Sequence, residues 1–112
     1  MFNFLFHNSK NRHISPHEVK ERLSSGEKII LLDVRTPEEY REVHIPHSIS
    51  LPLDELKSGI GKMVPKKEAE IVTYCLSGKR AAQACRELEA MGYTHVNNMG
   101  GIWNWNYETE RG

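Results

Sequence analysis

The chain carries no net charge, little cysteine and no long apolar run, and each shortage narrows what it can be. Fifteen Lys and Arg balance fifteen Asp and Glu, so no global field points to nucleic acid or to an anionic membrane. Two cysteines in 112 residues close at most one disulfide. That is not the framework of a stapled secreted domain; it suits a reducing cytoplasm, where a thiol stays available for chemistry. All three phenylalanines lie within residues 1–6, far short of the ~20 apolar residues that span a bilayer. A signal peptide would put positive charge first, whereas Lys10 and Arg12 follow this apolar run. Residues 1–12 are therefore expected to form an N-terminal tail, packed on the domain or a partner or frayed. His44 and His47 are separated by Ile45 and Pro46, which prevents a regular helix between them, and no third ligand accompanies them. No metal and no cofactor are expected. Internal repeats and low-complexity segments are absent, and 112 residues leave room for one domain only.

What the chain does have is concentrated in residues 71–88, IVTYCLSGKRAAQACREL. The run Ile71, Val72, Thr73, Tyr74 is apolar and β-branched, as in a buried strand. Ala81, Ala84, Cys85 and Leu88 are spaced as one face of a helix. Between them a short turn aims its amides, and the helix N-terminus, at one point that attracts anions. Cys75 begins that turn, where a thiolate is favoured over a thiol. Gly78 permits close backbone approach. Lys79 and Arg80 place two cations at a helix start, against the dipole, and such a local misfit beside a nucleophile points to function. Their expected work is to attract an anionic donor and favour the thiolate; the competing reading has one or both in solvent or paired with an acid such as Asp33. Cys85 reads as a core residue on the helix face, with a resolving thiol as the alternative.

Other elements frame this stretch. Ser15-Pro16-His17-Glu18 and Thr36-Pro37-Glu38-Glu39 are capping boxes that start two helices, the first running to about Leu23 and ended by Gly26. The continuously apolar Ile29-Ile30-Leu31-Leu32 suits the middle of a parallel sheet. It leaves Asp33 and Arg35 at a strand's carboxyl end, where ligands bind in open α/β sheets, or where the two simply pair and brace a loop. Residues 48–51 read as a short strand, 54–60 as a helical turn or two ended by Gly59 and Gly61, and 94–97 as the last strand. Gly100 and Gly101 turn the chain towards Trp105, which should anchor the core while Trp103 is exposed. This alternation of strands and helices argues for a parallel sheet covered on both faces.

The central stretch, with LLDVRTPEEY at 31–40, HIP at 44–46, GGI at 100–102 and Trp105, resembles the rhodanese-like sulfurtransferases in block order and spacing. The chain departs from that family's usual pattern at Val43 and His47, where glycine is common, and at Leu76, often charged or polar in members that use thiosulfate. The resemblance implies a compact three-layer α/β fold over residues 13–108, with a largely parallel five-stranded sheet; the polar residues 109–112 are expected to form a loose tail. It implies that Cys75 carries a persulfide within a loop of Leu76, Ser77, Gly78, Lys79, Arg80 and Ala81, which binds substrate and stabilises the sulfur. Asp33 and Arg35 would support that loop. The expected partners are a small anionic sulfur donor such as thiosulfate and an acceptor that is cyanide, a thiol or a thioredoxin-like protein.

Two other classes compete. Cysteine phosphatases and arsenate reductases want arginine six residues after the cysteine, for a larger loop and a bidentate oxyanion clamp; that position is Ala81. A binding module that had lost the chemistry would keep the fold, but retention of Cys75 argues against it; a carrier passing sulfur between proteins lies between module and enzyme, would need Cys75 as well, and stays open.

Overall fold

The computed structural model describes residues 12–112; the tail expected over 1–12 lies outside them except for Arg12. Four parallel strands, β1 (Ile30–Asp33), β2 (Ile49–Ser50), β3 (Glu70–Cys75) and β4 (His95–Gly101), pair in the order β2-β1-β3-β4. The chain moves from β1 to one neighbour, β2, and then crosses β1 to reach β3. Loops after β1 and β3 thus leave in opposite directions and open a crevice at the carboxyl ends, where α/β sheets bind ligands.

The sheet has four strands among the described residues, rather than five. Beside β4 a single bridge at His13 holds the place of a fifth, with Asn98 N donating to Arg12 O at 2.6 Å and Ile14 N to Asn98 O at 3.2 Å. The pairing stops there because Ser15 already caps a helix and Pro16 has no amide to donate.

Side-chain alternation divides the core in two. Leu32, Ile71, Cys75, Ala84, Cys85 and Leu88 pack on one side of the sheet with α3 (Leu56–Met63) and α4 (Lys79–Ala90). Leu31, Val72, Tyr74, Met99 and Trp105 pack on the other with Val19 of α1 (Pro16–Ser24). Along β3 the same period sets Ile71, Thr73 and Cys75 on the α4 side, so the sulfur-bearing residue is the last step of a core ladder.

The caps match the sequence at α2 (Pro37–Glu42) in full and at α1 in half, where no Glu18 side-chain bond back to Ser15 N is formed. Ser15 Oγ accepts from Glu18 N at 3.0 Å, and at α2 Thr36 and Glu39 complete a reciprocal box. Three expectations need correction. Helix α3 runs through Gly59 and Gly61 to Met63, because buried Leu56 and Ile60 anchor it against the modest helix cost of glycine. Strand β4 continues through Gly100 and Gly101, which pair with Tyr74 and Cys75 across a bulge at Met99. The C-terminal residues are laced down: His44 and Glu110 exchange both backbone bonds at 2.8 Å, and Gly112 N donates to Arg41 O at 2.7 Å. His47 holds φ 74, a left-handed conformation that costs a side-chain-bearing residue roughly 1 kcal/mol, which accounts for glycine being the common choice at that turn.

Candidate active site

Cys75 ends β3 at the crevice, with the residue 1% exposed. Gly78 has φ 110, a conformation open to glycine, and it caps α4. The reversal brings Gly78 N–H within 2.9 Å of Cys75 Sγ. Sulfur therefore sits at the start of a twelve-residue helix, whose positive end favours negative charge. Of the amides expected to surround it, Gly78 N–H is the one hydrogen-bonded to Sγ among the described residues.

The loop is held from four sides. Asn98 Nδ2 donates to Gly78 O at 3.3 Å, while Asn98 Oδ1 accepts from Gly100 N at 2.7 Å. Thr73 Oγ1 donates to Ala81 O at 3.0 Å. A Cβ on Gly101 would collide with the Leu76 carbonyl and lie 2.9 Å from Ser77 Cα, so only glycine lets β4 lie against the loop. Arg80 Nη1 and Nη2 donate to Glu39 Oε1 and Oε2 at 2.8 and 3.1 Å. Glu39 Oε1 also accepts from Thr36 N at 2.9 Å. Arg80 first, then the α2 cap, holds the Glu39 carboxyl down at about 2, and the same pairing raises Arg80.

Arg80 is therefore tied to Glu39, an acid that the sequence marked only as a helix cap. Lys79 is exposed and has no ion pair among the described residues. Asp33 and Arg35 face each other: Asp33 Oδ2 accepts from Arg35 Nη2 at 2.6 Å, and Oδ1 from Arg35 Nε at 2.9 Å. Arg35 Nη2 also donates to Val43 O at 2.6 Å. None of their described hydrogen bonds reaches the Cys75 loop. Burial and the nearby Asp33 raise the phenol of Tyr74, whose hydroxyl accepts from Ile45 N at 3.1 Å and so ties β3 to the His44 turn. His44 is occupied structurally: Nδ1 donates to Tyr40 O at 2.8 Å and Nε2 faces Glu110 at 3.4 Å.

Cys85 is fully buried. Its thiol lies 3.3 Å from Thr73 Oγ1, and since that hydroxyl spends its proton on Ala81 O, the thiol is the donor. Burial pushes the Cys85 thiol up, as befits a core group.

Glu39, Thr73, Asn98 and Gly101 are the site-building residues that motif reading missed or read otherwise. Asn98 beside a Gly-Gly pair was a usable signal, because an asparagine in a strand is ill-suited to the ladder and suits a bulge.

A rhodanese-like domain profile matches residues 15–108. The chain belongs to the rhodanese-like family. The thiosulfate sulfurtransferase PspE of Escherichia coli (strain K12) is 44% identical over 71 residues, 63% of this chain and 68% of that protein. The putative sulfurtransferase YtwF of Bacillus subtilis (strain 168) is 31% identical over 99 residues, 88% and 94% of the two chains. A solved rhodanese with anions from E. coli superposes with TM-score 0.72 at 38% identity, covering 76% of this chain and all of that one. This rhodanese-like chain is an enzyme of the sulfurtransferase type, and its fold is the family's compact α/β arrangement. No helix among its described residues is long and apolar enough to cross a membrane.

Proposed function

We propose that the enzyme moves one sulfane sulfur from a small anionic donor such as thiosulfate to cyanide or a thiol, through a persulfide on Cys75. The observation that carries this reading is the Gly78 N–H bond to Cys75 Sγ at the start of α4. The thiolate attacks the donor's outer sulfur; the donor's S–S bond breaks and its electron pair leaves with sulfite. The acceptor then attacks the outer sulfur of the persulfide and returns the electron pair to Cys75. Two half-reactions through a modified enzyme predict ping-pong kinetics.

Within this reading Leu76, Ser77, Gly78, Lys79, Arg80 and Ala81 enclose the transferred sulfur, with loop amides and the helix end stabilising its charge. Lys79 attracts the donor. Arg80, held by Glu39, fixes the shape of the loop. Asp33 and Arg35 brace the crevice wall through Val43. Two unpaired cysteines suit a cytoplasmic setting, where a thioredoxin-like protein is one candidate acceptor.

Intact mass spectrometry tests the proposal. Thiosulfate should add one sulfur atom, cyanide should remove it, and Cys75→Ser should never gain it. Wild-type turnover of thiosulfate or persulfide donors no faster than that of Cys75→Ser would falsify it.

A further inference from the structure

Beside the Cys75 loop lies an open groove of about 420 Å³, within the size range of small-ligand sites. Its apolar walls are Leu76, Val43, Ile102 and Trp103, and its polar edge includes Arg35 and Glu42. Leu76 follows Cys75 directly. The missing Cβ of Gly101 allows the Leu76 backbone to lie against β4 just where the chain enters the Ile102–Asn104 turn. One close approach thus joins the residue after the nucleophile to Trp103 in a single surface. Trp103 is 71% exposed and continuous with Val43, Leu76 and Ile102, the kind of joined apolar surface that marks ligand grooves. It plays no part in the core, which Trp105 serves instead.

Charge limits the occupant. The Arg35 guanidinium is matched by Asp33, and Glu39 by Arg80. Glu42 has no ion pair among the described residues, so the groove's uncompensated charge is negative. An anionic donor is served better by Lys79, on the loop's helical side.

We infer that this groove is the acceptor subsite and that it selects a small thiol without negative charge, bearing an apolar carbon chain, with Trp103 and Leu76 setting the preference. The inference rests on the sulfur-transfer reading above. The acceptor gives its thiol proton to water and its sulfur attacks the outer persulfide sulfur. The bond between that sulfur and Cys75 Sγ breaks, and the electron pair returns to Sγ. The product is an alkyl persulfide, and no further oxidant or reductant is consumed.

The test loads the enzyme with thiosulfate, confirms the added sulfur by mass, and follows its discharge to 2-mercaptoethanol, 6-mercaptohexanol and 3-mercaptopropionate. The longer neutral thiol should exceed 2-mercaptoethanol in kcat/KM by roughly tenfold, the effect of about two buried methylenes. The carboxylate should be the poorest of the three. In Trp103→Ala the ratio of long to short neutral thiol should fall below about threefold, and Leu76→Ser should lower it too; ratios within one variant cancel differences in folding or loading. A loaded wild type with equal rates for long and short thiols overturns the inference while leaving the sulfur-transfer reading intact. So does a ratio unchanged in Trp103→Ala, or a Trp103 effect confined to transfer onto a protein dithiol. Failure to load Cys75 at all sinks the sulfur-transfer reading itself.

Discussion

Lys79 and Arg80 are neighbours in sequence with different tasks. Lys79 occupies the first position of α4, where a cation opposes the helix dipole by roughly 0.3–1 kcal/mol. Lys79→Gln should therefore raise stability by a few tenths of a kcal/mol while lowering kcat/KM for thiosulfate about threefold at low salt. Adding salt should bring the two proteins together, since exposed charges are screened. Urea denaturation and steady-state kinetics at two ionic strengths check this, and a variant equal to wild type in both assays would remove Lys79 from donor attraction. Glu39 carries a pH signature instead. Its folded value is lowered to about 2 from an unfolded value near 4.3. Its contribution is therefore full above about pH 5 and lost as pH falls through about 4 to 2. With Arg80 partly exposed, the pair should contribute about 1 kcal/mol. Urea midpoints measured from pH 2 to 6 should fall more steeply on acidification in wild type than in Glu39→Gln. The place of Cys75 at the end of β3 and of Gly78 in the turn before α4 was legible in local sequence. The partner of Arg80 was not, because a contact between residues 41 positions apart leaves no trace in local spacing.

At the level of elements, the strand-to-helix unit β3–α4 could be read directly. An apolar β-branched run followed by a 3.6-residue apolar stripe has few other solutions. The extent of β4 was harder. Two consecutive glycines look like a turn beyond a strand, yet here they are its last two paired residues, because Gly101 must admit the Leu76 backbone. Gly101→Ala should consequently displace the Cys75 loop, costing roughly 2–3 kcal/mol and most of the sulfur loading. Ala is a larger insult here than in an open turn, since the obstructing atoms belong to backbone. Cys85→Ala tests the opposite expectation on α4. Its thiol gives one hydrogen bond to Thr73 and fills core volume, so the variant should lose about 1 kcal/mol and keep nearly all transfer. Loss of turnover in folded Cys85→Ala would instead make Cys85 a resolving thiol.

On the scale of the whole molecule, the layered α/β architecture followed from alternating elements, whereas the number of strands did not. Whether residues 12–14 form a strand depends on how soon the Ser15 cap ends pairing with β4, a competition that no repeat in the sequence records. The end of the chain was misread for a related reason: polar residues 109–112 look unanchored, but their backbone hydrogen bonds to His44 and Arg41 hold them, with the Glu110 carboxylate also 3.4 Å from His44 Nε2. Deleting them should remove the His44–Glu110 bonds and the Gly112–Arg41 bond and lower the unfolding free energy by roughly 1–2 kcal/mol, measurable as a lower urea midpoint. This lacing also fixes an address. Thr109 lines the acceptor groove together with Glu42 and Val43, and Gly112 is tied to the neighbouring Arg41. A cargo protein fused behind Gly112 through a short flexible linker would be tethered at the groove's rim at millimolar effective concentration. Sulfur delivery to such a fused cargo would become a unimolecular event, insensitive to dilution, whereas the same cargo supplied free would lose sulfur delivery as the mixture is diluted.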